Sequence, residues 1–257
     1  MPLDRDLESE ELTVDGLTSG WKITQRKRGH RHSTDDLLTA WYAAEHTGDG
    51  DGARRVLDLG SGIGSVGLLV LWRSPRATLT AIEAQEVSFR LLETNIALNG
   101  LGDRVRAIHG DLREIRLAGE SFDLVTGSPP YFDVKAGIVP ADTQKAHARF
   151  ELRGDVRDYC SAARDAMAEG GRFVFCFPSV QRERAERACD EARLARVVSR
   201  DVVPRRGVAP LFSLFCCRRS EDPPHAPAIL EPPYAVRDEA GRETAEHAAA
   251  RATFGMK

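Results

Sequence analysis

Short apolar runs alternate with stretches whose apolar positions recur at helical spacing through most of the chain. Seven of these runs have strand character and are predicted strands, at residues 54–59, 78–83, 104–109, 122–126, 172–177, 196–203 and 211–217. The helical stretch after the second run has Val87, Leu91 and Leu98 on one face and ends at Asn99-Gly100, a helix-stop signal. This alternation predicts an α/β fold, a doubly wound and mostly parallel sheet of seven strands with helices on both faces.

The predicted elements divide the chain into four segments. Residues 53–219 contain all the predicted strands and are expected to form the folded domain. Residues 1–15 are acidic and are expected to be a disordered tail, followed by an N-terminal segment at residues 16–52. Residues 220–257 begin with a proline-rich stretch and are expected to form a C-terminal arm. Residues 132–155 lack periodicity, and a connection of that length predicts an active-site lid.

The composition excludes several classes of protein. With 42% hydrophobic and 29% charged residues among 257, the chain is expected to form a packed core. No apolar run reaches the roughly 18 to 20 residues that cross a bilayer, and the first residues are too acidic for a signal peptide. We therefore expect a soluble, cytoplasmic protein with no membrane partner. No CxxC motif and no histidine at zinc-ligand spacing is present, so we expect no metal site and five buried, reduced thiols: Cys160, Cys176, Cys189, Cys216 and Cys217.

A glycine-rich turn follows the first predicted strand, in Asp58-Leu59-Gly60-Ser61-Gly62-Ile63-Gly64. Glycines let the backbone turn tightly and approach a ligand without a Cβ in the way. Glu83 ends the second predicted strand, nineteen residues after Gly64, where a carboxylate can accept hydrogen bonds from both hydroxyls of a ribose. The turn and the carboxylate together predict a Rossmann-like site for a ribose-bearing cofactor.

This turn resembles the first motif, D/E-x-G-x-G-x-G, of class I S-adenosylmethionine-dependent methyltransferases. The resemblance implies S-adenosylmethionine as the cofactor, with the glycine turn around its methionine part. It also implies that Asp111, after the third strand, accepts a hydrogen bond from the adenine amino group. The cofactor-binding residues implied by this motif are Asp58, Gly60, Ser61, Gly62, Gly64, Glu83 and Asp111.

A Pro-Pro pair follows the fourth predicted strand, in Ser128-Pro129-Pro130-Tyr131-Phe132. In a doubly wound sheet that strand lies beside the first, so the turn is expected to face the glycine turn. Prolines have no backbone N–H, which leaves the Ser128 and Pro129 carbonyls free to accept, and the Tyr131 ring can stack on a planar group. Acceptors beside an aromatic ring suit an exocyclic amine, whose lone pair they would direct at the methyl group.

The same segment resembles the (N/D/S)-P-P-(Y/F/W) motif of amino methyltransferases, which act on adenine N6, cytosine N4 or a glutamine side-chain amide. The resemblance implies that Ser128, Pro129, Pro130 and Tyr131 are catalytic and that Ser128 also lies beside the cofactor. Asparagine is usual at the first position in adenine-specific RNA enzymes and in glutamine enzymes, whereas serine is better known in cytosine N4 enzymes. Cytosine N4 and protein glutamine N5 methylation therefore remain alternatives, and an inactive methyltransferase fold that binds RNA is the non-enzymatic one.

The order of motifs along the whole chain is similar to the bacterial tRNA1(Val) adenine-37 N6-methyltransferase family, also called methyltransferase small domain proteins. The likeness runs from His32-Ser33-Thr34-Asp35-Asp36 to Ala148-Arg149-Phe150-Glu151. It implies that residues 16–52 cover the cofactor and substrate, that Thr34 and Asp35 bind the cofactor, and that Phe132 and Arg149 contact the substrate. The implied substrate is adenine N6 at anticodon-loop position 37 of a tRNA. From the residues alone, 33–36 also predicts a helix N-cap.

The charge distribution bears on the RNA partner. The formal net charge of −3 gives no indication of a nucleic-acid partner. Residues 21–34, however, contain no acid, although they follow the acidic first fifteen. Phosphate contacts from such a basic patch would bind RNA, and an unpaired loop base could be flipped into the pocket at modest cost. The residues of this basic patch, predicted to bind the substrate, are Lys22, Arg26, Lys27, Arg28 and Arg31.

Overall fold

The computed structural model describes residues 11–47, 54–131, 144 and 150–256. Its strands are β1 (Leu12–Gly16), β2 (Lys22–Arg26), β3 (Arg55–Leu59), β4 (Thr78–Glu83), β5 (Val105–His109), β6 (Phe122–Gly127), β7 (Met167–Pro178), β8 (Leu194–Val203), β9 (Phe212–Arg219) and β10 (Ile229–Ala235). Its helices are α1 (Thr34–His46), α2 (Ser65–Arg73), α3 (Glu86–Leu98), α4 (Val156–Ala166), α5 (Arg182–Glu191) and α6 (Ala245–Thr253). Within these ranges no helix combines the length and the apolarity needed to cross a bilayer.

Eight strands form the main sheet, in the order β10-β8-β9-β7-β6-β3-β4-β5. Strand β9 runs antiparallel to both of its neighbours, and the remaining pairs are parallel. The predicted α/β class and all seven predicted strands are confirmed, but the predicted count is one short. The additional strand, β10, extends the sheet edge beside β8, and Pro232 and Pro233 hid it from the sequence pattern. Prolines are tolerated there because an edge strand has one unpaired side.

Both faces of the sheet are covered by helices. Along β7, Val174 and Cys176 point to the face covered by α1, α2 and α3. Phe173, Phe175 and Phe177 point to the opposite face, which α4 and α5 cover. Because side chains alternate along a strand, a strand buried on both faces has a nearly continuous apolar sequence. All five cysteines are buried and free, as predicted.

A separate two-stranded hairpin, formed by β1 and β2, packs against α3. Two amides one helical turn apart hold it there: Asn95 Oδ1 accepts from the Thr24 N–H at 2.6 Å, and Asn99 Oδ1 accepts from the Lys22 N–H at 2.8 Å. Residues 12–15, predicted to belong to a disordered tail, are therefore part of a paired strand, because β2 supplies them with a hydrogen-bonding partner. Residues 1–10 lie outside the described residues.

Little of the predicted lid belongs to the described residues. Of residues 132–155, the structure describes Gln144 and 150–155, so Phe132 and Arg149 lie outside it. The lid therefore stays a prediction. At its end, Asp155 caps α4, with Oδ1 accepting from the Arg157 N–H at 2.8 Å.

Candidate active site

A cavity of about 430 Å³ opens at the carboxyl ends of β3, β4 and β6. Strand β3 lies between β4 and β6 in the sheet, so the turns that follow these strands meet at one edge. This confirms that the fourth predicted strand lies beside the first. The predicted site residues that line the cavity are Asp35, Asp58, Gly60, Ser61, Gly62, Glu83, Ser128, Pro130 and Tyr131.

The glycine turn has a left-handed backbone at Gly60 and Gly62, with φ of 61° and 57°. A Cβ at Gly60 would collide with the hydroxyl of Tyr159, whereas a Cβ at Gly62 would have no atom within 4 Å. Gly60 is thus required by close packing as well as by its φ, and Gly62 by its φ alone. The open space beside Gly62 belongs to the cavity and leaves its backbone accessible to a ligand.

Asp58 stabilises the glycine turn through hydrogen bonds to its carboxylate. Its Oδ2 accepts from Ser61 Oγ at 2.6 Å and from the Gly67 N–H at 3.2 Å, and its Oδ1 accepts from Thr126 Oγ1 at 2.7 Å. Burial raises the pKa of Asp58, and these hydrogen bonds oppose the rise. The carboxylate thereby ties together β3, the turn, α2 and β6, which sets the shape of the cavity floor.

Glu83 closes the adjacent side of the cavity. Its Oε2 accepts from the Gly62 N–H at 2.8 Å, and its Oε1 accepts from the Gln85 N–H at 2.6 Å. Burial raises the pKa of Glu83, while the hydrogen bonds from Gln85 and Gly62 act in the opposite direction. Each carboxylate oxygen has more than one acceptor site, so Glu83 can hold the turn and still accept from a hydroxyl in the cavity.

The Ser128–Tyr131 turn forms the opposite wall. Tyr131 Oη donates to Asp35 Oδ2 at 3.2 Å and lies 3.3 Å from Cys176 Sγ, which is also 3.4 Å from Ser128 Oγ. Gln181 Nε2 donates to the Tyr131 carbonyl at 2.9 Å. Burial raises the pKa of Tyr131 well above its ordinary value, so the phenol remains neutral. The place of Cys176 in this wall was not predicted, because its neighbours in the sequence do not distinguish it from the other buried thiols.

Asp36 is a further buried acid in the cavity wall. The sequence predicted it only as part of a helix N-cap. Its Oδ2 accepts from Ser65 Oγ at 3.0 Å and from the Ser33 N–H at 3.1 Å, which confirms the predicted N-cap of α1. Burial, and then the neighbouring charge of Asp35, raises the pKa of Asp36 to about 8. The signal available in the sequence was a polar residue on the buried face of an amphipathic helix.

Gln144 is a second lining residue that the sequence did not indicate. Its Nε2 donates to Ser88 Oγ at 3.2 Å, and its Oε1 accepts from the His30 N–H at 3.2 Å. These bonds join α3 to the loop after β2 at the rim of the cavity.

Four of the residues predicted to be catalytic or to bind the cofactor lie outside the lining of this cavity. Thr34 is exposed and borders a second cavity, of about 880 Å³. Gly64 and Pro129 are buried and do not line the first cavity. Asp111 also lies outside the lining, and its carboxylate accepts from Arg113 Nη2 at 2.6 Å and Nε at 2.9 Å. The hydrogen bond from Arg113 is the main cause of the lowered pKa of Asp111.

The basic patch is partly neutralised by the acidic segment. Lys27 Nζ lies 2.8 Å from a Glu11 carboxylate oxygen, and Arg31 Nη2 lies 3.0 Å from Asp15 Oδ2. Arg26 is buried, and its Nη1 donates to Gln144 Oε1 at 3.3 Å. Within the basic patch, Lys22 and Arg28 are exposed and have no ion pair to any residue the structure describes.

Part of the chain is similar to a known protein family. Residues 43–157 match the methyltransferase small domain. A relative from Flavobacteriaceae bacterium (strain 3519-10), named tRNA1(Val) (adenine(37)-N6)-methyltransferase, is 29% identical over 172 residues. The aligned region covers 67% of this chain and 70% of that protein.

Solved structures share the fold at low sequence identity. A predicted O-methyltransferase from Agrobacterium tumefaciens has a TM-score of 0.67 and 19% identity, covering 87% of this chain and 98% of that one. A 16S rRNA N2 G1207 methyltransferase of T. thermophilus, in complex with AdoMet and guanosine, has a TM-score of 0.58 and 20% identity, covering 85% and 52%. At these identities the similarity shows the fold alone.

Proposed function

Residues 43–157 match the methyltransferase small domain, and from this match we propose that the chain transfers a methyl group from S-adenosylmethionine to N6 of adenine 37 in a tRNA. The family match confirms the resemblance that the motifs indicated. The observation that carries the proposal is the meeting of Ser128 and Tyr131 with Gly62 and Glu83 in one cavity. The curated relative named as a tRNA1(Val) adenine-37 N6-methyltransferase supports the choice of substrate.

The cavity residues fit the cofactor. The volume of the cavity, about 430 Å³, lies within the range of roughly 300 to 1,000 Å³ that is common for small-molecule sites. Gly60, Ser61 and Gly62 would surround the methionine part, and Glu83 would accept from the ribose hydroxyls. When bound, S-adenosylmethionine supplies an electrophilic methyl group on a sulfonium. Asp111 lies outside the cavity lining, so it would accept from the adenine amino group through an acceptor site that Arg113 does not use.

The Ser128–Tyr131 turn would hold and activate the amine. An exocyclic amine is a poor nucleophile because its lone pair is delocalised into the base. A hydrogen bond from an N–H group to Ser128 Oγ would localise that lone pair, while the Tyr131 ring positions the base. The Pro129 carbonyl would be a second acceptor only if the bound substrate reached it, because Pro129 does not line the cavity. Such positioning in a site of fixed dipoles lowers the barrier without a strong base.

The hairpin segment would contact the RNA. The exposed cations Lys22 and Arg28 are the members of the basic patch best placed to meet phosphates, since Lys27 and Arg31 already have acidic partners. We propose residues 16–52 as the substrate-facing segment of the molecule, with Thr34 and Asp35 near the cofactor. Binding through a few phosphates would be salt-sensitive and of modest strength.

The test is transfer of a tritiated methyl group to total tRNA, rRNA, DNA and protein fractions, followed by nucleoside analysis. We expect label in tRNA as N6-methyladenosine, and transfer by Tyr131→Ala that is roughly a hundredfold slower under the same conditions. N4-methylcytosine would overturn the base assignment, in line with Ser128 at the first motif position. Label in protein would favour a glutamine substrate. Cofactor binding without transfer to any fraction would favour an inactive RNA-binding module.

A further inference from the structure

Four polar side chains form a continuous chain along and behind one cavity wall. Ser128 Oγ lies 3.4 Å from Cys176 Sγ, which lies 3.3 Å from Tyr131 Oη, which lies 3.2 Å from Asp35 Oδ2. Ser128, Tyr131 and Asp35 line the cavity, whereas Cys176 is fully buried on β7 behind them. The thiol is therefore within hydrogen-bond distance of both side chains that would meet the amine.

Each hydroxyl or thiol in this chain has one hydrogen, so there is one direction in which all three contacts are hydrogen bonds. Tyr131 has one hydroxyl hydrogen, and a carboxylate is the stronger of its two neighbouring acceptors, so that hydrogen goes to Asp35. The contact with Cys176 is then made by the thiol hydrogen, and Tyr131 Oη accepts it. Burial, and then the charge of Asp35, raises the pKa of Cys176 to about 11 against hydrogen bonds with Ser128, Thr39 and Tyr131, which keeps this hydrogen on the sulfur. The remaining contact, Ser128 to Cys176, is made by the serine hydroxyl donating to the sulfur.

In this arrangement the hydroxyl hydrogen of Ser128 points away from the cavity toward the sulfur, so the lone pairs of Oγ are free on the cavity side. A serine hydroxyl can donate or accept, and only an acceptor can bind the N–H of an amine. An asparagine carbonyl oxygen has no such ambiguity, because it can only accept.

We propose that Cys176 is a positioning residue that makes Ser128 a hydrogen-bond acceptor for the amine of the substrate. The inference rests on the proposed methyl transfer and names what allows a serine at the first position of the motif. Cys176 does not touch the substrate. It acts by taking the hydroxyl hydrogen of Ser128 and by holding the Tyr131 hydroxyl beside Asp35.

Cys216 provides a matched control. It lies on the neighbouring strand β9, opposite Val174 in the register, and packs in the same apolar cluster as Cys176. Both thiols are fully buried, and burial raises the pKa of Cys216 to about 12. Cys216 has no side-chain hydrogen bond to a residue that the structure describes. Its replacement by alanine therefore removes packing contacts of a buried thiol without removing a hydrogen bond.

The kinetic test compares Cys176→Ala, Cys176→Ser and Cys216→Ala on an unmodified tRNA1(Val) transcript. We expect Cys176→Ala to lower kcat roughly tenfold, because misplacement of a single group in a site has effects of that order or larger. KM for S-adenosylmethionine should stay unchanged. Cys216→Ala should keep the kcat of the parent protein, and Cys176→Ser should recover most of the activity. Equal losses for the two alanine variants, or no recovery with serine, would overturn the proposal.

A spectroscopic test needs no turnover and separates this inference from the proposed function. The S–H stretching band of Cys176 is identified by subtracting the Raman spectrum of Cys176→Ala from that of the parent protein. Tyr131→Phe removes the acceptor of that S–H, so the band should move to higher wavenumber, while Cys216→Ala should leave it in place. An unmoved band in Tyr131→Phe would overturn the hydrogen-bond chain. An inactive parent protein would overturn the proposed function, and the band would still decide the direction of the chain.

Discussion

The cavity and the N-terminal hairpin differ in how well local sequence predicted their chemistry. In the cavity, motifs from three separate turns converge because the backbone pairing of β3, β4 and β6 forces their ends together. In the hairpin, the predicted cations are present, but Glu11 and Asp15 already neutralise two of them. Strand order follows from regular backbone hydrogen bonding, whereas the availability of a surface charge depends on which other segment folds over it. Motifs that end strands are therefore the more reliable guide to a site.

The two regions are physically connected through α3. Asn95 Nδ2 donates to the Thr24 carbonyl at 3.1 Å in the hairpin and to the Ile63 carbonyl at 2.9 Å in the glycine turn. One buried side chain thus fixes the hairpin relative to the cavity. Substitutions in the cavity, at this connection and in the hairpin should give effects that decrease in that order.

The largest effect is expected in the cavity, from Tyr131→Ala. The variant should lower kcat by roughly a hundredfold, because the ring that positions the base is lost. Affinity for S-adenosylmethionine should change little, since Glu83 and Gly62 remain. Isothermal titration with the cofactor and single-turnover transfer measure the two quantities separately. Equal losses in both would mean that Tyr131 acts on the cofactor side.

The connection between the regions is tested by Asn95→Ala. The substitution leaves the buried Thr24 N–H without its partner, so we expect the free energy of unfolding to fall by about 2 kcal/mol. Asn99→Ala is the matched control one helical turn away. Because its hydrogen bonds with Lys22 are exposed, water can replace it, and the loss should stay below about 1 kcal/mol. Urea denaturation of both variants measures the difference, and equal losses would contradict a special role for Asn95.

Asp36 in the cavity has a raised pKa, whereas hydrogen bonds from Gln25 and Thr13 lower the pKa of Asp15 in the hairpin, so the two regions depend on pH in opposite directions. The pKa of Asp36 in the folded protein is about 8. The ordinary pKa of an aspartate is about 3.9, so the folded protein holds a proton that the unfolded chain releases between these values. The stabilising contribution of this proton is complete below about pH 4 and is lost as the pH rises through the folded pKa. Asp36→Asn should therefore flatten the decline in stability between about pH 5 and 8, as measured by urea midpoints. Parallel declines in the parent and the variant would exclude this assignment.

The smallest effect is expected in the hairpin. Glu11→Gln frees Lys27 from an exposed ion pair, so stability should hardly change, because such pairs contribute roughly 0 to 1 kcal/mol. Affinity for tRNA should rise by roughly twofold, with a steeper dependence on salt, because one more cation can meet a phosphate. Glu120→Gln, which breaks the exposed ion pair with Arg106 on β5, is the control and should leave tRNA binding unchanged. Unchanged binding in Glu11→Gln as well would place the RNA elsewhere.

The sequence alone predicted the α/β class, the seven strands and the glycine turn. It also predicted that the glycine turn and the Pro-Pro turn lie close together. These features depend on periodicity, backbone propensity and the rule that parallel strands end at one edge, and each is encoded within a few consecutive residues. Gly60, for example, is predictable because a tight turn needs its positive φ. The Ser33–Asp36 cap is predictable for the same local reason.

Only the tertiary structure decided which groups became partners across the fold. It added β10 to the sheet, buried Asp36 and placed the thiol of Cys176 between Ser128 and Tyr131. The physical reason is that burial and hydrogen bonding depend on segments far apart in the chain, such as residues 128 and 176. Cys176 and Cys216 both lie in apolar runs on neighbouring strands, and yet their thiols have different neighbours in the fold.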